Sequence, residues 1–215
     1  MNVVLEYLPE LRDGFLGTLA ITGASAVIAL VLGVLIAGCR VSPVPPLRAF
    51  GTAWVTLLRN TPLTLLFLIA FFVLPKLLLE GASPFVLGML ALGCYTSAFI
   101  CEAVRSGIST VPIGQAEAAR SLGLTFTQTL RMIVLPQATR TVLPPLSSIL
   151  IALTKNSAIA GAFSVTELFG FAKLLSDQGY AITLIFAVVA IAYLIITFAI
   201  SGVFRVLERR MGVAR

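Results

Sequence analysis

The run from Gly14 to Cys39, GFLGTLAITGASAVIALVLGVLIAGC, contains no charged residue. A helix needs about 20 apolar residues to cross the ~30 Å hydrocarbon core of a bilayer, so this one stretch is long enough to span it. Glu6, Glu10 and Asp13 precede it rather than a basic leader, and it is longer than the apolar part of a cleaved signal peptide. It therefore reads as a first span kept in the mature protein. The rest of the chain agrees: of 215 residues, 59% are hydrophobic and 11% are charged. That is about half the charged fraction of a soluble domain.

The same criterion gives four further spans. Ala49 to Pro75 is apolar but interrupted by Arg59-Asn60-Thr61-Pro62, whereas Gly81 to Cys101 is uncharged throughout. The next span ends at Lys155, contains Pro144 and Pro145, and reaches spanning length only if it starts near Pro136. Gln178 to Phe204 is uncharged. The expectation is an all-α membrane protein of five transmembrane helices in the cell inner or plasma membrane. With no repeat, low-complexity tract or flexible linker, residues 1–215 form one transmembrane domain.

Five spans put the termini on opposite sides. One side carries Arg40, Arg48, Arg105, Arg120, Arg131, Arg140, Arg205, Arg209, Arg210 and Arg215; the other carries Arg12, Lys76 and Lys173. Basic residues collect in cytoplasmic loops, which places the N-terminus outside and the C-terminus inside. The same rule accounts for the net charge of +6 without a nucleic-acid partner.

Most catalytic chemistry is excluded. The chain has no histidine and only nine carboxylates, and Cys39, Cys94 and Cys101 all lie in or beside apolar runs, so no metal site can be assembled. Cys94 and Cys101 share a helical face and read as small packed hydrophobes. No Gly-x-x-x-x-Gly-Lys-Ser/Thr run is present and no glycine precedes a lysine, so nucleotide is not bound through a phosphate-binding loop. No catalytic residue and no cofactor are expected on this chain.

Residues 106–137, between the third and fourth spans, form a cytoplasmic loop with internal structure. Pro112 suits the first turn of a helix and Gly123 a left-handed cap just past its end. The enclosed segment of about 11 residues is ~16 Å long, too short to cross, and belongs at the cytoplasmic surface. Thr125-Phe-Thr-Gln128 fits a capping box and starts a second short helix. Ala116, Ala118 and Ala119 give the first helix a low profile, with Glu117 and Arg120 at its edge, a surface suited to docking in another protein's groove.

These residues carry a family resemblance. Gly114-Gln115-Ala-Glu117-Ala118-Ala119, then Gly123, then Ile133-Val-Leu-Pro136-Gln137-Ala138 resembles the EAA loop of permease subunits in bacterial ATP-binding cassette (ABC) importers. Arg59-Asn-Thr-Pro62-Leu, Glu102-Ala-Val-Arg105, Pro144-Pro145 and Leu153-Thr-Lys155-Asn156-Ser157 resemble the polar amino acid permeases. Arg40-Val-Ser-Pro43-Val, the wording through Thr64, and Gly114 to Leu124 are closest to actinobacterial glutamate permeases. The chain departs from the family at Ala158, where a second hydroxyl usually follows.

The resemblance implies a permease that takes up a polar amino acid, glutamate or another acidic one, driven by a separate ABC ATPase subunit that holds ATP and Mg. A second permease chain, with a heterodimer favoured and a homodimer also compatible, and an extracytoplasmic substrate-binding protein complete the set. The coupling residues would be Gly114, Gln115, Glu117, Ala118, Ala119, Arg120 and Gly123. Arg59, Asn60, Thr61, Pro62, Lys155, Asn156 and Ser157 would border the substrate path; the alternative is that Arg59 and Lys155 are structural, pairing with backbone carbonyls at helix breaks. Glu102 and Arg105, three apart, form a stabilising pair or gate at the cytoplasmic mouth.

Physical reasoning supports the path assignment. Arg59 lies ~15 Å into its span at 1.5 Å per residue, near mid-depth, where a charge facing lipid costs at least ~2.5 kcal/mol. Pro62 clashes with the carbonyl of Leu58, so the helix breaks across Asn60 and Thr61. The rival reading is an ATPase-independent channel or secondary transporter, although an odd number of spans does not divide into equal inverted halves.

Overall fold

The structure is a computed structural model that describes residues 6–212; Arg215, counted above among the cytoplasmic arginines, lies outside them. The described residues form helices joined by short turns, with no strand among them. Leu8–Val41 (α1) is followed by Pro45–Asn60 (α2), Leu63–Leu68 (α3) and Leu74–Leu77 (α4). Pro84–Ser109 (α5), Ile113–Ser121 (α6), Phe126–Thr129 (α7) and Leu135–Asn156 (α8) come next, then Ala158–Gly161 (α9), Leu168–Asp177 (α10) and Ile182–Arg210 (α11).

Four continuous helical stretches, Leu8–Val41, Pro84–Ser109, Phe126–Gly161 and Ile182–Arg210, are long and apolar enough to cross a membrane. Pro45–Asn60 with Leu63–Leu77 makes a fifth when counted as one span bent by 104°. The bend falls where Pro62 dictates. Thr61 turns extended after Asn60, and its hydroxyl donates to the Leu57 carbonyl at 2.7 Å, satisfying an acceptor that the broken helix abandons.

The first and third spans run parallel and close together. Gly33 faces Ile100 and the Ser97 carbonyl, and Gly93 faces Ile28 and the Ser25 carbonyl; a Cβ at either glycine would come within 2.7 Å of an isoleucine carbon. Lipid offers no hydrophobic drive for helix association, so this small-residue contact, which brings more backbone and side-chain atoms into van der Waals range, is what holds the pair. Around it lies a buried core of Ile21, Phe67, Leu92, Leu153 and Val165.

Two helices widen to π turns, at Ile69–Val73 and Leu130–Val134, and both have one cause. Each precedes a proline, Pro75 or Pro136, which has no N–H for the carbonyl one turn back. The ladder resumes one residue long: Leu74 N–H bonds Ile69 O and Leu135 N–H bonds Leu130 O. This corrects the reading of a separate second loop helix. The capping box of Thr125 and Gln128 is formed, but α7 runs through the π turn directly into α8.

α10 was not expected. Its 10 residues extend ~15 Å, too short to span, and they pack through Leu168, Phe171 and Leu175 on Ile185 and Val189 of α11.

Candidate functional site

The segment 106–137 is built by local rules. Pro112 stands just before α6 with ψ 134, and Gly123 has φ +83. Gly123 N–H bonds Arg120 O at 2.9 Å and Leu124 N–H bonds Ala119 O at 3.1 Å, the pair of bonds of a Schellman cap. Ala119 is buried, while Gly114, Gln115, Glu117, Ala118 and Arg120 are exposed. Ala116 is half-buried, so of the three alanines expected to form a low-profile docking face only Ala118 is exposed; Ile113, Leu122 and Phe126, at least 76% exposed, are the apolar residues the loop presents instead. One bond ties α6 to the fourth span: Gln137 Nε2 donates to Gln115 Oε1 at 2.5 Å and to the Ile133 carbonyl at 2.9 Å.

The polar residues near the break form a charge cluster drawn from three elements. Arg105 donates to Glu102 Oε2 through Nε at 3.2 Å and Nη2 at 3.0 Å, so the expected pair is formed. The other carboxylate oxygen accepts from Arg40. Arg59 Nη1 stands 3.8 Å from that same oxygen, and its guanidinium lies 5.4 Å from the centre of the Phe99 ring.

This arrangement corrects the depth expected for Arg59. Its neighbour Glu102 is bonded to Arg40, the penultimate residue of α1, so Arg59 shares the layer of that helix end rather than the middle of the bundle. Gly51 meets Ile36 and Arg40, and eight residues later Arg59 still stands beside Glu102, which Arg40 bonds, so α2 stays near that end of α1. Ten residues of α2 therefore advance less in depth than a straight span would.

Among the described residues Lys155, Asn156 and Ser157 make no hydrogen bond or ion pair with Arg59. Lys155 is exposed on α8 and Asn156 is half-buried, while the Ser157 hydroxyl is buried and donates to the Thr154 carbonyl at 2.7 Å. Among the described residues Lys155 has no ion pair, whereas Arg59 is paired with Glu102. Asn60 ends α2 and Pro62 precedes α3, as the break requires.

Glu167 is the site residue that sequence reasoning missed. It is fully buried, caps α10 by accepting from Phe169 N–H at 2.9 Å and from Gly170 N–H, and accepts from the Tyr193 hydroxyl at 2.6 Å. Thr18 accepts from Leu168 N–H at 3.1 Å, so first span, α10 and last span meet here. A cavity of about 410 Å³ opens beside it, with Glu10, Asp13 and Asp177 among its lining residues. The signal was available: Glu167 is the one charge between Lys155 and Lys173.

Comparisons with known proteins identify the family. The family described as binding-protein-dependent transport system inner membrane component matches residues 29–213. The chain is 38% identical to the probable glutamine ABC transporter permease protein GlnM of Bacillus subtilis, covering 98% of this chain and 97% of that one. It is 39% identical to the glutamate transport system permease protein GluC of Corynebacterium efficiens, covering 96% of each. Among solved structures, one described as an amino acid ABC transporter with histidines aligns with a TM-score of 0.88 at 29% identity, covering 97% of both chains. The chain belongs to the binding-protein-dependent transport system inner membrane components, multi-pass permease subunits of ABC importers that work with a substrate-binding protein and leave ATP hydrolysis to a separate ATPase subunit.

Proposed function

We propose that this permease imports an acidic amino acid, glutamate, and that Arg59 meets the substrate on its way through the membrane. One observation carries the proposal: Arg59 has no hydrogen bond among the described residues, although it sits at a helix break inside a bent span. A guanidinium with free donors, held by an aromatic face, suits bidentate capture of a carboxylate. The names of relatives in glutamate, glutamate/aspartate and glutamine transport support an amino acid as cargo.

On this reading residues 106–137 are the cytoplasmic coupling loop, the N-terminus faces outward and the C-terminus inward. The exposed apolar residues Ile113 and Leu122 enter a groove of the ATPase, which holds ATP and Mg, while Glu117 and Arg120 orient the helix at the rim. A second, non-identical permease chain closes the path, and the binding protein delivers substrate from outside. Asn60, Thr61 and Pro62 shape the break, and Lys155 and Asn156 line the path on the fourth span, with Ser157 buried behind them.

The test is uptake into liposomes by the reconstituted complex with its ATPase and binding protein, over glutamate, aspartate, glutamine and cystine. Glutamate is expected to be taken up best, and Arg59→Ala to lose that uptake while the complex still assembles. Preference for a neutral amino acid would overturn the substrate, and unchanged kinetics in Arg59→Ala would remove that residue from the path.

A further inference from the structure

Three guanidiniums surround one carboxylate in the Arg40, Arg59, Glu102, Arg105 cluster, so two positive charges are left over. They are not held alike. The Arg40 side chain is only 17% exposed and bonds Glu102 directly; its Cγ is packed where a side chain on Gly51 would have to go. Arg105 grips the other oxygen through two nitrogens, three residues along the same helix. Arg59 is 44% exposed and stands 3.8 Å away, beyond hydrogen-bond distance. Glu102 is thus clamped from two sides, and Arg59 alone is free to leave it.

We propose that Glu102 is a tethered stand-in for the substrate's carboxylate. In the empty permease it neutralises Arg59 through space; an arriving amino acid carboxylate takes the free N–H groups of Arg59, and Arg40 with Arg105 keeps Glu102 from following. Competition by a fixed carboxylate weakens the hold on substrate, so the anion is released rather than trapped by three uncompensated guanidiniums. Glu102 then sets the strength of substrate binding by acting through Arg59. The inference rests on the reading that Arg59 meets substrate.

The sign of one measurement separates this role from a structural one. Equilibrium binding of radiolabelled glutamate, and separately of glutamine, would be measured on the purified permease and ATPase complex in detergent without the binding protein. Removing the competitor in Glu102→Gln is expected to tighten binding about threefold or more, since an opposite charge near 4 Å at partial burial is a large electrostatic term. Glu102→Asp, which keeps the charge and draws it back toward its own helix, is expected to tighten binding by a smaller factor and serves if the first variant fails to assemble. Weaker or unchanged binding in the assembled variants would overturn the proposal, because a carboxylate that merely braces helices can only loosen the site when lost. Arg59→Ala separates the two readings: retained binding sinks the role of Arg59 in the path, whereas lost binding without tightening in Glu102→Gln sinks only the competition.

Discussion

The backbone N–H of Leu124 reaches the carbonyl of Ala119 at 3.1 Å across Gly123, whose φ is +83. This bond closes the end of α6 and fixes the angle at which it meets the helix that rises into the fourth span. No Cβ at Gly123 would touch any other residue, so the requirement for glycine is conformational and not steric. A left-handed non-glycine residue costs about 1–2 kcal/mol, and a β-branched one suffers most. Gly123→Val is expected to abolish ATP hydrolysis stimulated by loaded binding protein while the permease still inserts, whereas Gly123→Asn, which tolerates this conformation, retains most of it. Equal stimulation in both variants would show that the cap does not matter for coupling.

Glu117 is exposed at the edge of α6, and its side chain makes no described contact within the chain. Reversing its charge therefore tests the docking face without disturbing the fold. Glu117→Lys is expected to leave the melting temperature of the isolated permease unchanged and to lose both copurification of the ATPase and stimulated hydrolysis. Normal copurification would place the docking contact elsewhere on the loop.

Glu167 and Gly161 form a second testable pair. A Cβ on Gly161 would fall 1.9 Å from Glu167 Oε1 and 2.6 Å from Gly170 N, so the carboxylate occupies space that only glycine leaves open. Glu167→Ala removes the cap of α10 and leaves the Tyr193 hydroxyl and two amides without their acceptor, at a cost of about 2–4 kcal/mol. Gly161→Ala is expected to destabilise in the same direction by displacing the carboxylate. Thermal unfolding of both variants in detergent would measure this; a melting temperature unchanged in Gly161→Ala would mean that the turn yields readily.

Hydropathy and punctuation made much of this fold legible. Uncharged runs located the spans because lipid demands them, Pro62 located the bend, and Gly123 and the Thr125 box located the loop's caps. What escaped was cooperative. Arg40 counted as an inside charge and as part of a family wording, yet it also bonds Glu102, which no spacing along the chain reveals. α10 was missed because a search for spanning lengths passes over 10 residues, and Glu167 went with it. The depth of Arg59 was misjudged because a count along the chain equals depth only for a helix that runs straight across the membrane.

Pro136 is legible as a helix constraint, but its consequence is spatial. By withholding the N–H that would bond Met132 O, it forces the π turn at Leu130–Val134, and the extra residue rotates everything before it by about 100° relative to α8. That rotation presents Gln115 to Gln137. Pro136→Ala restores the donor and permits an ordinary α turn, so the helix itself is expected to be no less stable while the link to α6 is lost. The signature is an unchanged or raised melting temperature together with fewer amino acids imported per ATP hydrolysed. Gln137→Leu, which removes the link and keeps the proline, is expected to lower the same ratio. If both variants import as much per ATP as the parent, motion of α6 reaches the membrane by another route, through the packing of Gly107 against Val142 and Ala138.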